Sequence, residues 1–136
     1  MPEVPSVKVI FLDAVGTLFD VRGSVGDIYA SFAEAYGVVL RPEELNGAFK
    51  KTFAETEAAQ FDSGLSLETL KELEKNWWRK VVRETFLQVL SGNEFDYFEQ
   101  FFTQVFDYFG TAEAWVVYPE VIKTLECWLN EGVQLV

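Results

Sequence analysis

Histidine is absent from this sequence of 136 residues, and cysteine occurs only once, as Cys127. Without histidine, the chain cannot supply a Ser-His-Asp or Cys-His catalytic arrangement or a histidine-ligated metal. A single cysteine excludes an internal disulfide and a cysteine-rich zinc site. We expect Cys127 to be a small core residue of the last helix.

Basic residues are also few, since 11 Lys and Arg stand against 22 Asp and Glu, which gives a formal net charge of −11. That balance argues against nucleic acid or an anionic membrane as a partner, because both are bound through clustered positive charge. No apolar run reaches the roughly 18 residues that span a bilayer. The first five residues lack the basic flank of a signal peptide. We therefore expect a soluble, cytoplasmic protein.

The chain does have a large apolar fraction, with 49% hydrophobic and 16% aromatic residues, which is enough for a packed core. Residues 7–12 read Val-Lys-Val-Ile-Phe-Leu and predict a strand buried on both faces of a parallel sheet. Residues 133–136 predict a second strand of the same kind. It follows a helix that begins near Pro119 and stops at Gly132.

The residues between these strands follow helical spacing and predict an inserted helical bundle. Four amphipathic helices are expected, over 24–36, from 41 onward, over 66–90, and from Asn93 as N-cap to Gly110. Short connections favour an antiparallel four-helix bundle. The predicted fold class is therefore α/β, with a partial core over 1–20 and 112–136 and a helical domain over 21–111.

Two parallel strands form a poor sheet by themselves. The chain is therefore expected to be a fragment, or to complete its sheet with another chain. A homo-oligomer or a strand-swapped dimer through the incomplete sheet would satisfy the second expectation.

The residues that could bind a ligand or take part in a reaction follow the first predicted strand. Asp13 stands at its carboxyl end, where open α/β sheets place ligands, and the turn Ala14-Val15-Gly16-Thr17 comes next. Successive backbone N–H groups in such a turn can cradle a phosphate or an oxyanion. A carboxylate there can attack an electrophile and form a covalent intermediate. Turn or capping roles are the alternatives for Asp13 and for Asp20.

Residues 9–20, Val-Ile-Phe-Leu-Asp-Ala-Val-Gly-Thr-Leu-Phe-Asp, resemble motif I of the haloacid dehalogenase-like superfamily, hhhhDxDGTLxD. The bundle resembles the type C1 cap of that superfamily, and residues 118–133 resemble the core helix and strand that return after the cap. The subgroup that the chain most resembles is the Reg-2-like, haloacid dehalogenase domain-containing type. The resemblance implies an incomplete Rossmann-like core of two parallel strands that carries a helical cap.

The resemblance also implies roles for single residues and a cofactor. Asp13 matches the nucleophile, which also ligates Mg²⁺, and Val15 matches the position whose backbone carbonyl binds the same ion. Ala14, Val15, Gly16 and Thr17 form the phosphate or oxyanion turn, at which the family's mobile flap begins. Asp20 matches the carboxylate at the cap hinge. The implied substrate is a small phosphorylated molecule.

One residue departs from the phosphatase pattern. Val15 stands where family phosphatases carry an acid/base Asp, whose absence typically costs about 10²–10⁴ in rate. Dehalogenase-like and phosphonatase-like members also lack that Asp. The family's later motifs would lie beyond Val136, so we expect no appreciable phosphatase activity from this chain alone. A non-catalytic interaction module and a plain helical bundle with a fortuitous motif remain the other hypotheses.

Overall fold

The structure is a computed structural model and describes residues 6–136. The start of the chain, on which the signal-peptide prediction rests, lies outside the described residues. The elements, in chain order, are β1 (Val9–Ile10), β2 (Phe19–Val21), α1 (Val25–Glu34), α2 (Pro42–Glu55), α3 (Leu67–Val89), α4 (Phe98–Phe109), a short 3₁₀ helix (Ala112–Ala114), β3 (Trp115–Val117), α5 (Val121–Asn130) and β4 (Gln134–Leu135). No helix among the described residues is long and apolar enough to cross a membrane.

The chain divides into two compact units. Residues up to Arg22 together with Ala112–Val136 form one, here called the strand unit, and Gly23–Thr111 form the other, here called the helical unit. In the strand unit β1 pairs with β4 in parallel, with Val9 opposite Gln134. The predicted α/β class with two parallel strands is confirmed, because β1 and β4 pair in parallel and the connection between them contains all five α-helices.

One face of the sheet formed by β1 and β4 is exposed to solvent. Val7, Val9 and Phe11 alternate along the first strand and are 65%, 40% and 78% exposed, and Val136 beside them is 57% exposed. The prediction that the first strand is buried on both faces is therefore wrong for this chain. The other face, which carries Ile10, is partly covered, because α5 packs beside β4.

Helix α5 buries less than its apolar pattern predicts. Val121 is buried, but Ile122 and Leu129 are 59% and 56% exposed. The prediction that Cys127 is a core residue is wrong, because its thiol lies on the exposed side of this helix. A two-stranded sheet covers only one narrow stripe of the helix, so the rest of its apolar surface faces solvent.

In the helical unit, α1 and α3 each pack against both α2 and α4, so the four helices enclose one core. The buried core is rich in aromatic side chains. Its members are Tyr29, Ala33, Leu45, Val82, Phe86, Phe95, Phe98, Phe101, Phe102 and Val105. Ser24 and Ser66 cap α1 and α3, since each hydroxyl accepts a hydrogen bond from a backbone N–H of the first turn.

Helix α4 begins later than predicted, at Phe98 instead of just after Asn93. The Asn93 side chain does not cap α4 but donates to the Leu90 carbonyl, 2.8 Å away, at the end of α3. Ser91 and Gly92 adopt positive φ angles of 55° and 82°, which turn the chain sharply there. Phe95 still reaches the core, from the connection instead of from the helix.

Helices α3 and α4 run antiparallel and are joined by a ladder of cation–π contacts. Lys75, Arg79 and Arg83 are spaced four residues apart on α3, and they lie 5.2, 5.0 and 4.6 Å from the ring centroids of Phe106, Phe102 and Phe98 respectively. Both arginines also pair with Glu99. These three positive charges are in contact with rings of the helical unit, so they form no free basic patch.

Candidate functional site

Asp13 lies just beyond the parallel pair of strands. The N–H of the preceding residue, Leu12, donates to the Val136 carbonyl at 2.8 Å, which continues the ladder of β1 and β4 up to the aspartate. The Asp13 side chain is exposed. Within residues 6–136 its carboxylate makes neither a hydrogen bond nor an ion pair, so both oxygens are open to solvent or a ligand.

The turn after Asp13 winds around one carbonyl. The Ala14 carbonyl accepts from the N–H groups of Thr17, Leu18 and Phe19 at 3.2, 2.8 and 3.4 Å. Gly16 sits in the middle with a φ of +84°, a left-handed conformation that favours glycine. The Gly16 N–H donates to the Phe19 carbonyl at 2.8 Å, so the turn is closed against the beginning of β2.

Three successive amide groups in this turn have no protein acceptor in the described part of the chain. They are the N–H groups of Asp13, Ala14 and Val15, and the Val15 carbonyl likewise accepts no hydrogen bond there. Backbone donors that have no protein acceptor are available to an anion. The sequence-predicted residues 13–17 therefore form one continuous segment in which a free carboxylate stands beside free backbone donors.

The side chains of the turn add little chemistry of their own. Val15 is 51% exposed and carries no group that transfers protons. Thr17 is exposed, and its hydroxyl makes no hydrogen bond within residues 6–136. The side chain at position 15 therefore offers no group for general acid or base chemistry.

The oxygens at the turn fit magnesium in part. No group of three or more His, Cys, Asp or Glu side chains that could hold a metal lies within residues 6–136. Mg²⁺ is, however, commonly held by only one or two carboxylates, with waters and substrate phosphate completing its six ligands. The Asp13 carboxylate and the Val15 carbonyl are two oxygen donors of that kind, and neither has a hydrogen-bond partner within residues 6–136.

Asp20 is engaged in a different way. Strand β2, which contains it, pairs antiparallel with β3 in a short ribbon, with Asp20 opposite Val116. One carboxylate oxygen accepts from the N–H of Val21 at 2.8 Å, and the other accepts from the Tyr118 hydroxyl at 3.1 Å. Both oxygens of Asp20 are thus occupied within the ribbon, unlike those of Asp13.

The ribbon and the bond between Tyr118 and Asp20 have no counterpart in the sequence-based expectations. Arg22 strengthens the ribbon, because its guanidinium donates to the carbonyls of Glu113 and Trp115 at 2.9 and 3.2 Å. Desolvation raises the pKa of Tyr118, and the hydrogen bond to Asp20 and the charges of Asp20 and Glu120 raise it further. The one signal of this ribbon in the sequence was the apolar run 115–118. It follows the helical insertion, just as residues 18–21 precede it.

Comparison with known proteins agrees with the motif. No family model matches the chain. Two curated proteins, from Xenopus laevis and Xenopus tropicalis, are both called haloacid dehalogenase-like hydrolase domain-containing protein 3, and each is 28% identical to 131 residues, or 96%, of this chain. The matched regions cover 52% and 67% of those proteins, so the chain spans about half the length of the first. The chain is therefore similar, over nearly its whole length, to two proteins that are named as haloacid dehalogenase-like.

Proposed function

We propose that this chain carries the nucleophile segment of a haloacid dehalogenase-like hydrolase of the phosphatase type. The observation that carries the proposal is the free Asp13 carboxylate beside three free amide groups at the end of a parallel strand. A strand end of this kind is where open α/β sheets bind ligands. The strand unit then plays the part of the catalytic core and the helical unit that of the C1-type cap, as in the Reg-2-like subgroup.

The proposed reaction begins with attack by an Asp13 carboxylate oxygen on the phosphorus of a small phosphorylated substrate. A new O–P bond forms, the P–O bond to the leaving group breaks, and the leaving oxygen takes the electron pair. The amides of Asp13, Ala14 and Val15 donate to the phosphoryl oxygens as negative charge develops there. Magnesium, held by the Asp13 carboxylate and the Val15 carbonyl, would supply positive charge when bound.

Val15 limits which substrates this chain can turn over. With no proton donor at this position, a poor leaving group such as an alkoxide departs slowly, whereas a carboxylate anion departs without help. Hydrolysis of the aspartyl phosphate also lacks a base here. We therefore propose that the chain alone forms the covalent intermediate from an activated donor but does not complete an appreciable number of turnovers.

Phosphoryl transfer from acetyl phosphate tests this proposal. We expect the native chain, incubated with acetyl phosphate and Mg²⁺, to gain one phosphoryl group on the peptide that contains Asp13, as detected by mass spectrometry. The variant Asp13→Asn should gain none, because an amide oxygen is a poor nucleophile. Asp62→Asn is the matched control and should keep the label, since Asp62 is an exposed carboxylate of the helical unit, outside the turn.

A different labelling pattern would contradict the phosphatase assignment. Label spread over surface carboxylates, or label that survives in Asp13→Asn, would remove Asp13 from the role of nucleophile. Ester formation on Asp13 from a 2-haloacid, with no label from acetyl phosphate, would instead favour the dehalogenase-like alternative. Val15 is compatible with that chemistry because a halide leaves without a proton.

The open face of the sheet favours a second candidate function, self-association. Parallel sheets are normally covered on both faces, and this face presents Val7, Val9, Phe11 and Val136 to solvent. The same unit carries an exposed apolar helix stripe of Ile122 and Leu129. We propose a second copy as the occupant, with the α5 stripe of each copy covering the open sheet face of the other, in a symmetric interface.

Light scattering during size-exclusion chromatography measures this association. We expect a dimer for the native chain and a monomer for Phe11→Lys, because a charge would then be buried in the interface. Val39→Lys is the matched control, since Val39 is 79% exposed, much like Phe11 at 78%, but belongs to the helical unit. A native monomer, or a dimer that Phe11→Lys leaves intact, would contradict the proposed interface.

A further inference from the structure

Tyr118 contacts the turn at a point that none of the proposed chemistry uses. It follows β3 directly, and its backbone N–H donates to the Leu18 carbonyl at 3.1 Å. Its hydroxyl donates to Asp20 at 3.1 Å, two residues further along the same strand edge. Tyr118 is thus hydrogen-bonded to the chain on both sides of Phe19, at Leu18 and at Asp20.

Phe19 connects these two hydrogen bonds of Tyr118 to the turn. Its N–H donates to the Ala14 carbonyl at 3.4 Å, and its own carbonyl accepts from Gly16 at 2.8 Å. The contacts therefore form a continuous path from Tyr118, through residues 18–20, to the carbonyl and amide groups that flank Val15. Asp13 lies one residue before Ala14 on the same backbone.

We propose that Tyr118 is a positioning residue that holds the turn 14–18 in place after Asp13, through its backbone bond to Leu18 and its hydroxyl bond to Asp20. This role belongs to the turn itself and does not depend on Asp13 being a nucleophile. The raised pKa of Tyr118 supports it, because the neutral hydroxyl that donates to Asp20 is the favoured form.

The rest of the ribbon has other supports, so the effect of Tyr118 should be local. Arg22 binds two carbonyls at the other end of the ribbon, and the rings of Phe19 and Trp115 meet edge to face with centroids 5.3 Å apart. These contacts remain when the Tyr118 hydroxyl is removed. Loss of the hydroxyl should loosen the turn and leave the pairing of β2 with β3 intact.

Millisecond hydrogen exchange of Tyr118→Phe tests the proposal in the full chain. We expect the amides of Gly16 and Leu18 to exchange about tenfold faster than in the native chain, which is the scale of one hydrogen bond to a charged group. The amides of α1 to α4 should exchange at native rates, and the melting temperature of the helical unit, followed by circular dichroism, should not change. Tyr97→Phe, which removes a hydroxyl from an exposed residue of the helical unit, should change neither.

A double-mutant comparison identifies the partner. Asp20→Ala should speed exchange of the same turn amides, and adding Tyr118→Phe to it should cause little further change, because both variants remove the same bond. Native exchange rates at Gly16 and Leu18 in Tyr118→Phe would overturn the proposal. Faster exchange throughout the chain would overturn it equally, since that result describes a general loss of stability.

Discussion

Gly26→Ala is expected to destabilise the helical unit by about 3 kcal/mol or more, because the new methyl group has no space. A Cβ atom at Gly26 would lie 2.1 Å from the Pro42 carbonyl oxygen and 2.8 Å from the Asn46 side chain. The first neighbour is backbone at the start of α2, so it cannot rotate away. The Gly26 N–H also donates to the Asn46 side chain at 2.7 Å, a bond that separation of α1 from α2 would break.

Urea unfolding followed by circular dichroism at a helix wavelength measures this loss. Gly47→Ala is the matched control, since nothing lies within 4 Å of a Cβ atom at that position in α2. There, alanine should stabilise the helix by about 0.5–1 kcal/mol through its better helix propensity. If Gly26→Ala unfolds at the native urea concentration, the close approach of α1 to α2 is not as described.

Val15→Asp is expected to shorten the lifetime of the aspartyl phosphate on Asp13 by about 10² or more, the usual contribution of a positioned acid or base. The side chain at position 15 is half exposed, so a carboxylate fits without displacing its neighbours. It could accept a proton from the water that attacks phosphorus. This prediction rests on the proposed function.

The decay of the label after removal of acetyl phosphate measures that lifetime. Val15→Asn matches the carboxylate in shape but transfers no proton, so its label should decay at the native rate. If Val15→Asp and Val15→Asn decay equally, the absence of an acid/base at position 15 is not what limits the chain.

Periodic apolar patterns predicted most of the elements. The first three helices of the bundle lie within a few residues of their expected limits, because Ser24, Pro42 and Ser66 begin them through local backbone chemistry. Helix α4 was misplaced at its start because Asn93 is as suitable for ending α3 as for capping a new helix. Only the packing of Phe95 from the connection decides between the two.

The part of the candidate site formed by residues close in sequence was predictable, whereas the contacts between residues distant in sequence were not. Asp13 and its turn follow from a strand end and a glycine within five residues. The pairing of Asp20 with Tyr118 joins positions 98 residues apart, and no local pattern encodes it. The exposure of Phe11 and Cys127 was also missed, because an apolar or small residue does not reveal whether a second surface covers it.

The antiparallel ribbon has a consequence for how this architecture can change over time. The N–H of Arg22 donates to the Ala114 carbonyl at 2.7 Å, so the chain leaves for the helical unit and returns from it at neighbouring points. A segment with adjacent ends can be exchanged, shortened or replaced by a tight hairpin turn without moving the strands beside it. Because of the ribbon, the helices can vary in evolution while the segment around Asp13 keeps its backbone.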